Sequence, residues 1–133
     1  MSHADLVGTT WRLRTLDGQA ARDLSPGVHP TISFLPQENR FAARVGVNWM
    51  SGTYAVGASK ADGAGGRSGT LTIGPNLMST RMAGPPELMA QDDLFGRIVP
   101  TITSYRLRGQ TLELLAADRP VATLSKAVKP ADE

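Results

Sequence analysis

The sequence predicts an α+β fold: an antiparallel sheet of about eight strands, curled into a partly open β-barrel, with one packed helix at about residues 86–98. Three observations carry this. Short segments that alternate apolar and polar residues recur along the chain. Fourteen glycines and nine prolines in 133 residues mark frequent chain reversals between them. Only one stretch carries an apolar stripe at helical spacing. At 14.1 kDa and 41% hydrophobic residues the chain has the size and composition for one core, so a single domain spanning 1–133 is expected, with its core at about 6–126.

Taken in order, Thr10 to Leu16 alternates with period two, Trp11 and Leu13 facing inward, and Asp17-Gly18 supplies a turn. Arg22 to Pro30 reads as a loop. Thr31 to Leu35 is a second strand, and Pro36 to Asn39 turns the chain into a third, Arg40 to Val47. Gly46 and Gly52 bracket a corner, and Gly52 to Val56 is a fourth strand. Trp49, Met50 and Tyr54 are the largest apolar groups nearby, either plugging the end of a core or forming an exposed patch. Residues 57–68 hold almost no large apolar group and read as a long flexible loop. Its glycines lack the Gly-Lys-Ser/Thr and following helix that a phosphate-cradling loop requires. Thr70 to Gly74 is a fifth strand.

Pro85-Pro86 and Glu87 suit a helix start, Leu88, Phe95 and Val99 share a face, and Pro100 ends the run. Asp92 and Asp93, neighbours about 100° apart around that helix, read as its solvated side. Strands at 101–107, 110–116 and 120–126 complete the sheet, and 127–133 is expected to fray.

Composition narrows the function. The net charge of +2 offers no concentrated basic footprint, so nucleic acid is not an expected partner, and Arg12, Arg14, Arg106 and Arg108 read as a solvated sheet face. Without cysteine there is no disulfide, thiol chemistry or lipid-bearing cysteine in this sequence. No apolar run approaches the roughly 20 residues of a membrane-spanning helix. Met1 to Asp5 does not read as a signal peptide, which leaves a cytoplasmic protein or an exported one whose leader has been removed. His3 and His29 are the only histidines, and no metal-ligand spacing or Gly-x-Ser-x-Gly elbow accompanies them. No catalytic, cofactor-binding or metal-ligating residues are therefore assigned, and the chain is read as non-enzymatic.

The order Thr10-Trp11, Pro30 to Phe34, Gly46-Val47-Asn48 with Gly52-Thr53-Tyr54, Ser79 to Pro85, Tyr105 and Leu112-Glu113-Leu114 resembles the META domain, the HslJ-like heat-shock proteins of bacteria. The resemblance covers about Leu6 to Leu124, with motif positions Gly46, Val47, Asn48, Gly52, Tyr54, Thr80, Met82 and Gly84. Family members typically carry a cysteine in Gly-Cys-Asn and another in Met-Ala-Cys, thought to pair. Here Val47 and Gly84 stand at those places, and their joint replacement implies that the two positions adjoin, with Cα atoms within about 7 Å.

The resemblance implies a stress or antibiotic-response association and location in the periplasm or at the outer membrane, but no established biochemical activity. The expected role is binding of an apolar ligand, a peptide strand or an envelope protein, by a monomer, at the barrel's open end near Asn48, Trp49, Met50, Tyr54, Arg81 and Met82. Two alternatives remain at this stage: a small-molecule carrier with a cavity inside the barrel, and a hydrolase using His29.

Overall fold

Alternation along β1 (Thr10–Leu16) buries Trp11 and Leu13 and turns Arg12 and Arg14 outward, and an irregularity between Leu13 and Thr15 then brings Leu16 inward. In the computed structural model, which describes residues 6–58, 60–61 and 66–127, the same rule generates β3 (Thr31–Leu35), β4 (Arg40–Arg44), β5 (Trp49–Val56), β7 (Arg67–Ser79), β8 (Ser104–Arg108), β9 (Thr111–Ala116) and β10 (Arg119–Lys126). Each pairs antiparallel with the next of this series, and β10 pairs back with β1 through Trp11↔Lys126 to Leu16↔Ala122, closing an eight-stranded barrel. Two short additions, β2 (Gln19–Ala20) and β6 (Lys60–Ala61), pair with β1 and β7. The Asp17-Gly18 turn between β1 and β2 has positive φ at both residues, 52° and 81°, as a two-residue primed hairpin requires.

The helix α1 (Pro86–Ile98) has the expected bounds, with Pro86 at its first turn, and buries Leu88, Phe95 and Ile98. Phe95 stacks on Phe41 at 6.4 Å, Phe41 meets Phe34 at 5.9 Å, and Phe34 meets Tyr54 edge-on at 5.2 Å, so a chain of rings ties the helix to the barrel interior. Trp11, Tyr105, Leu112, Leu114 and Leu124 fill the rest, and among the described residues no charged or polar side chain is buried. The interior is packed with side chains. The space for an internal carrier cavity is taken by these rings and branched chains.

Several expected boundaries are corrected. The third strand ends at Arg44 and the fourth begins at Trp49, because Val45 to Asn48 form the corner itself. The fifth strand runs from Arg67 to Ser79 instead of 70–74: Gly74, at φ 106°, and Pro75 make a bulge opposite Gly52 to Tyr54 and the strand then resumes. The expected loop 57–68 therefore contains β6 and the start of β7 within its described residues. Residues Val99–Thr101 form a 3-10 turn, so the strand expected at 101 starts at Ser104. Of the expected frayed tail, Ala127 still donates its N–H to Thr10 O at 3.0 Å, and 128–133 lie outside the described residues.

Candidate functional site

The corner between β4 and β5 is held from α1 on one flank and from the segment after β7 on the other. Asp92, on α1, accepts the backbone N–H groups of Val47 and Asn48 on a single oxygen at 2.8 and 2.9 Å, plus Asn48 Nδ2 at 3.3 Å. It is not part of a solvated face as periodicity suggests, because consecutive amides of a tight corner converge on it as an anion-binding concavity. Gln91, one residue earlier, donates to Val45 O at 2.6 Å and exchanges two bonds with the Arg22 backbone.

Asn48 continues the network. Its Oδ1 accepts from Met82 N–H at 2.6 Å and from Thr80 Oγ1 at 2.7 Å, and its Nδ2 donates to Met82 O at 3.2 Å. Thr80 Oγ1 in turn accepts Trp49 N–H at 3.1 Å. One amide thus fastens the segment between β7 and α1 to the corner, satisfying backbone groups that a loop would otherwise give to water.

Between this fastened segment and α1 lies an open groove of about 490 Å³. Its apolar lining includes Val45, Met50, Met82, Met89 and Phe95, with Trp49 at one margin and Arg81, Asp93 and Arg97 around the mouth. Trp49 is 48% exposed and Met82 47%, and Arg44 sits 5.7 Å over the Trp49 ring. Large apolar groups this exposed and this close together are uncommon on a soluble surface.

Of the residues named from sequence, Asn48, Trp49, Met50, Arg81 and Met82 all line this groove. Tyr54 does not: it is 4% exposed inside the barrel, its hydroxyl donating to Leu35 O at 3.0 Å. The plug and the patch are thus both present, divided between Tyr54 and Trp49. The helix's contribution, Met89, Asp92, Phe95 and Gly96, was missed. Met89 and Gly96 stand seven residues apart on one helical side, and that spacing is the signal that could have found it.

The motif positions meet as the resemblance requires. A Cβ placed on Gly84 would fall 3.4 Å from Val47 Cβ and 2.6 Å from its Cγ2. Atoms so close hold the two Cα atoms within about 6.5 Å, inside disulfide reach. Val47's methyl groups occupy the space left by the missing side chain at 84.

His29 lies apart from the groove. Its Nδ1 donates to Asp23 Oδ1 at 2.8 Å, and among the described residues this is its side chain's one hydrogen-bond partner. An orienting carboxylate is present, but no hydroxyl accompanies it. His3 lies outside the described residues. The bond from His29 is the main cause of an Asp23 carboxyl pKa below its ordinary 3.8. A carboxylate depressed in the folded state adds stability above pH 3.8 that is lost as pH falls through the folded value. In His29→Ala, Asp23 should titrate higher than in the unaltered protein by NMR; an unchanged titration would show that the bond does not form in solution.

A closed antiparallel barrel with one helix seated beside a fastened corner defines the structural class. The family model of the META domain matches residues 4–129, and the chain belongs to that family. A solved structure titled "NMR structure of the protein" is similar at TM-score 0.63 and 21% identity, covering 94% of each chain, a likeness of fold. No curated protein matches the chain.

Proposed function

We propose that this META-domain barrel is a non-enzymatic binding module whose groove beside α1 takes an apolar ligand or an extended apolar peptide. The observation that carries the reading is the lining: Trp49, Met50, Met82, Met89 and Phe95 surround an open space of about 490 Å³ on a chain whose barrel interior is already filled. That volume falls within the range of small-molecule sites, and unbranched thioethers adapt to ligands of differing outline. The groove's amide Asn48 is committed to Met82 and Thr80, and Asp92 Oδ2 to the corner amides, so both hold the groove's walls in place. The resemblance adds a bacterial envelope location and a stress-associated role to this proposal.

The test is titration with a neutral naphthylamine dye and with single-chain amphiphiles, read by dye fluorescence. Binding in the micromolar range is expected. Trp49→Ala and Met82→Lys should each weaken it at least tenfold, as loss of a large apolar lining group does. Val28→Lys, which alters an exposed apolar residue in the 22–30 loop, should leave it unchanged. Absence of binding, or equal weakening by all three variants, would refute the groove as the site.

A further inference from the structure

The barrel wall carries a second feature, in its charges. Register pairs Arg12 on β1 with Thr31 on β3, Thr31 with Arg44 on β4, and Arg44 with Trp49 on β5. Directly paired residues share a face, so these four form one row across the outside of the barrel. Arg14 and Arg40 extend the patch along β1 and β4, and Leu35 ends β3 on the same side. No outward position of these four strands holds an acidic residue.

The arginines here are also poorly partnered. Among the described residues neither Arg12 nor Arg44 has an ion pair, and the Nε of each is sealed from water without a hydrogen bond. Arg14 reaches Ser125 Oγ at 2.8 Å, a neutral partner, and Arg40 lies 3.8 Å from the exposed Glu38. The remaining acid nearby is Asp23, at the patch's edge, which is held by His29. Across the barrel, on β8 and β9, Arg106 bonds Glu113 at 2.7 Å, and beside the patch, at the far end of β1, Arg119 approaches Asp17 at 3.4 Å. On the β1–β5 face the arginines outnumber the acids beside them, Asp23 and Glu38, both of which sit at its edges.

We infer that the outer face of β1, β3, β4 and β5 docks on an anionic lipid surface, its arginines engaging headgroup phosphates while Trp49 and Leu35 enter the interfacial layer. Guanidinium forks match phosphate oxygens, and each basic residue near such a surface adds a similar increment of attraction. Tryptophan favours the boundary between headgroup and hydrocarbon, and Trp49 is half exposed at the end of the row. A single-stranded nucleic acid would also meet the charge, but it draws affinity from several stacking rings. Trp49 is the one large aromatic exposed among the described residues, and its apolar companion is the aliphatic Leu35, so the face suits lipid better. This inference stands apart from the groove: Trp49 borders both, but the arginines do not line it.

The test is flotation with vesicles of phosphatidylglycerol and phosphatidylcholine, against phosphatidylcholine alone, at low and high salt. Binding is expected to the anionic vesicles only, to fall with salt, and to shift Trp49 emission to the blue, Trp11 being fully buried and silent. Arg12→Gln with Arg44→Gln should weaken partitioning about thirtyfold, roughly fivefold for each charge removed. Arg12→Lys with Arg44→Lys should retain most of it, and Arg106→Gln, on β8 across the barrel, all of it. Circular dichroism confirms that each variant is folded. Equal binding to neutral vesicles, indifference to the glutamine pair, or capture of a single-stranded oligonucleotide in preference to anionic vesicles would overturn the inference.

Discussion

Gly46→Ala should lower the free energy of unfolding by about 4 kcal/mol and the melting temperature by roughly 15 °C. The added Cβ would collide with the backbone carbonyl oxygen of Leu88 and lie 2.7 Å from Asp92 Cγ. Neither neighbour can yield cheaply. Leu88 O belongs to the first turns of α1, whose position is set by Phe95 on Phe41, and Asp92 is held by the corner amides. Relief requires the helix to lift, which costs the charge-assisted bonds to Val47 and Asn48 and opens the packing beneath. Urea unfolding followed by circular dichroism measures the effect. A loss under 1 kcal/mol would mean that α1 does not rest on the corner as described.

Much of the architecture was legible from periodicity. The helix bounds followed from the proline pair, the acidic first turn and the apolar stripe, because these are local signals confined to one element. Most strands followed from alternation against a single core. The misreadings share a cause: they sit where two distant segments decide the outcome together. Gly74-Pro75 looks like a strand end in isolation, but β5 continues past it and a bulge absorbs the irregular residues. Asp92 looks solvated on a helical wheel, since no wheel records that the Val47 and Asn48 amides approach from the barrel. Tyr54 was grouped with Trp49 and Met50 by proximity in sequence. Strand parity, together with the Phe34 ring it meets, places Tyr54 inside.

The groove was legible in half. Its strand and loop side, from Asn48 to Met50 and from Arg81 to Met82, falls in the two stretches that carry the family resemblance. Its helical side did not, because Phe95 reads first as core and Met89 lies beside that apolar face. Local pattern reports that a side chain is apolar, while which surface it covers depends on how the 80–85 segment is tied down. Here that tie is Asn48, a motif position whose cross-linking role needs the fold to be seen.

Val47→Cys combined with Gly84→Cys should form a disulfide and stabilise the protein by about 4 kcal/mol over its reduced form, the chain-entropy value for a loop of this length. The geometry is favourable: the Cβ–Cβ separation of 3.4 Å is only slightly short of the roughly 3.8 Å of a relaxed disulfide, so a shift of a few tenths of an ångström suffices. Gly84 carries no positive φ, so its backbone accepts a side chain. Removing both Val47 methyl groups vacates the space that the bridge enters. Each change alone should behave differently. Gly84→Ala drives a Cβ to 2.6 Å from Val47 Cγ2 and should cost about 1 to 2 kcal/mol, much of it recovered in a Val47→Ala background. Denaturation of the double-cysteine variant with and without reductant separates the bridge from the substitutions. If oxidised and reduced forms melt together, or if no bridge forms, positions 47 and 84 do not adjoin in solution. If the bridge forms and stabilises, the Asn48 network and a covalent link fasten the same segment, and the valine–glycine pair is one of two packing solutions to a single close approach.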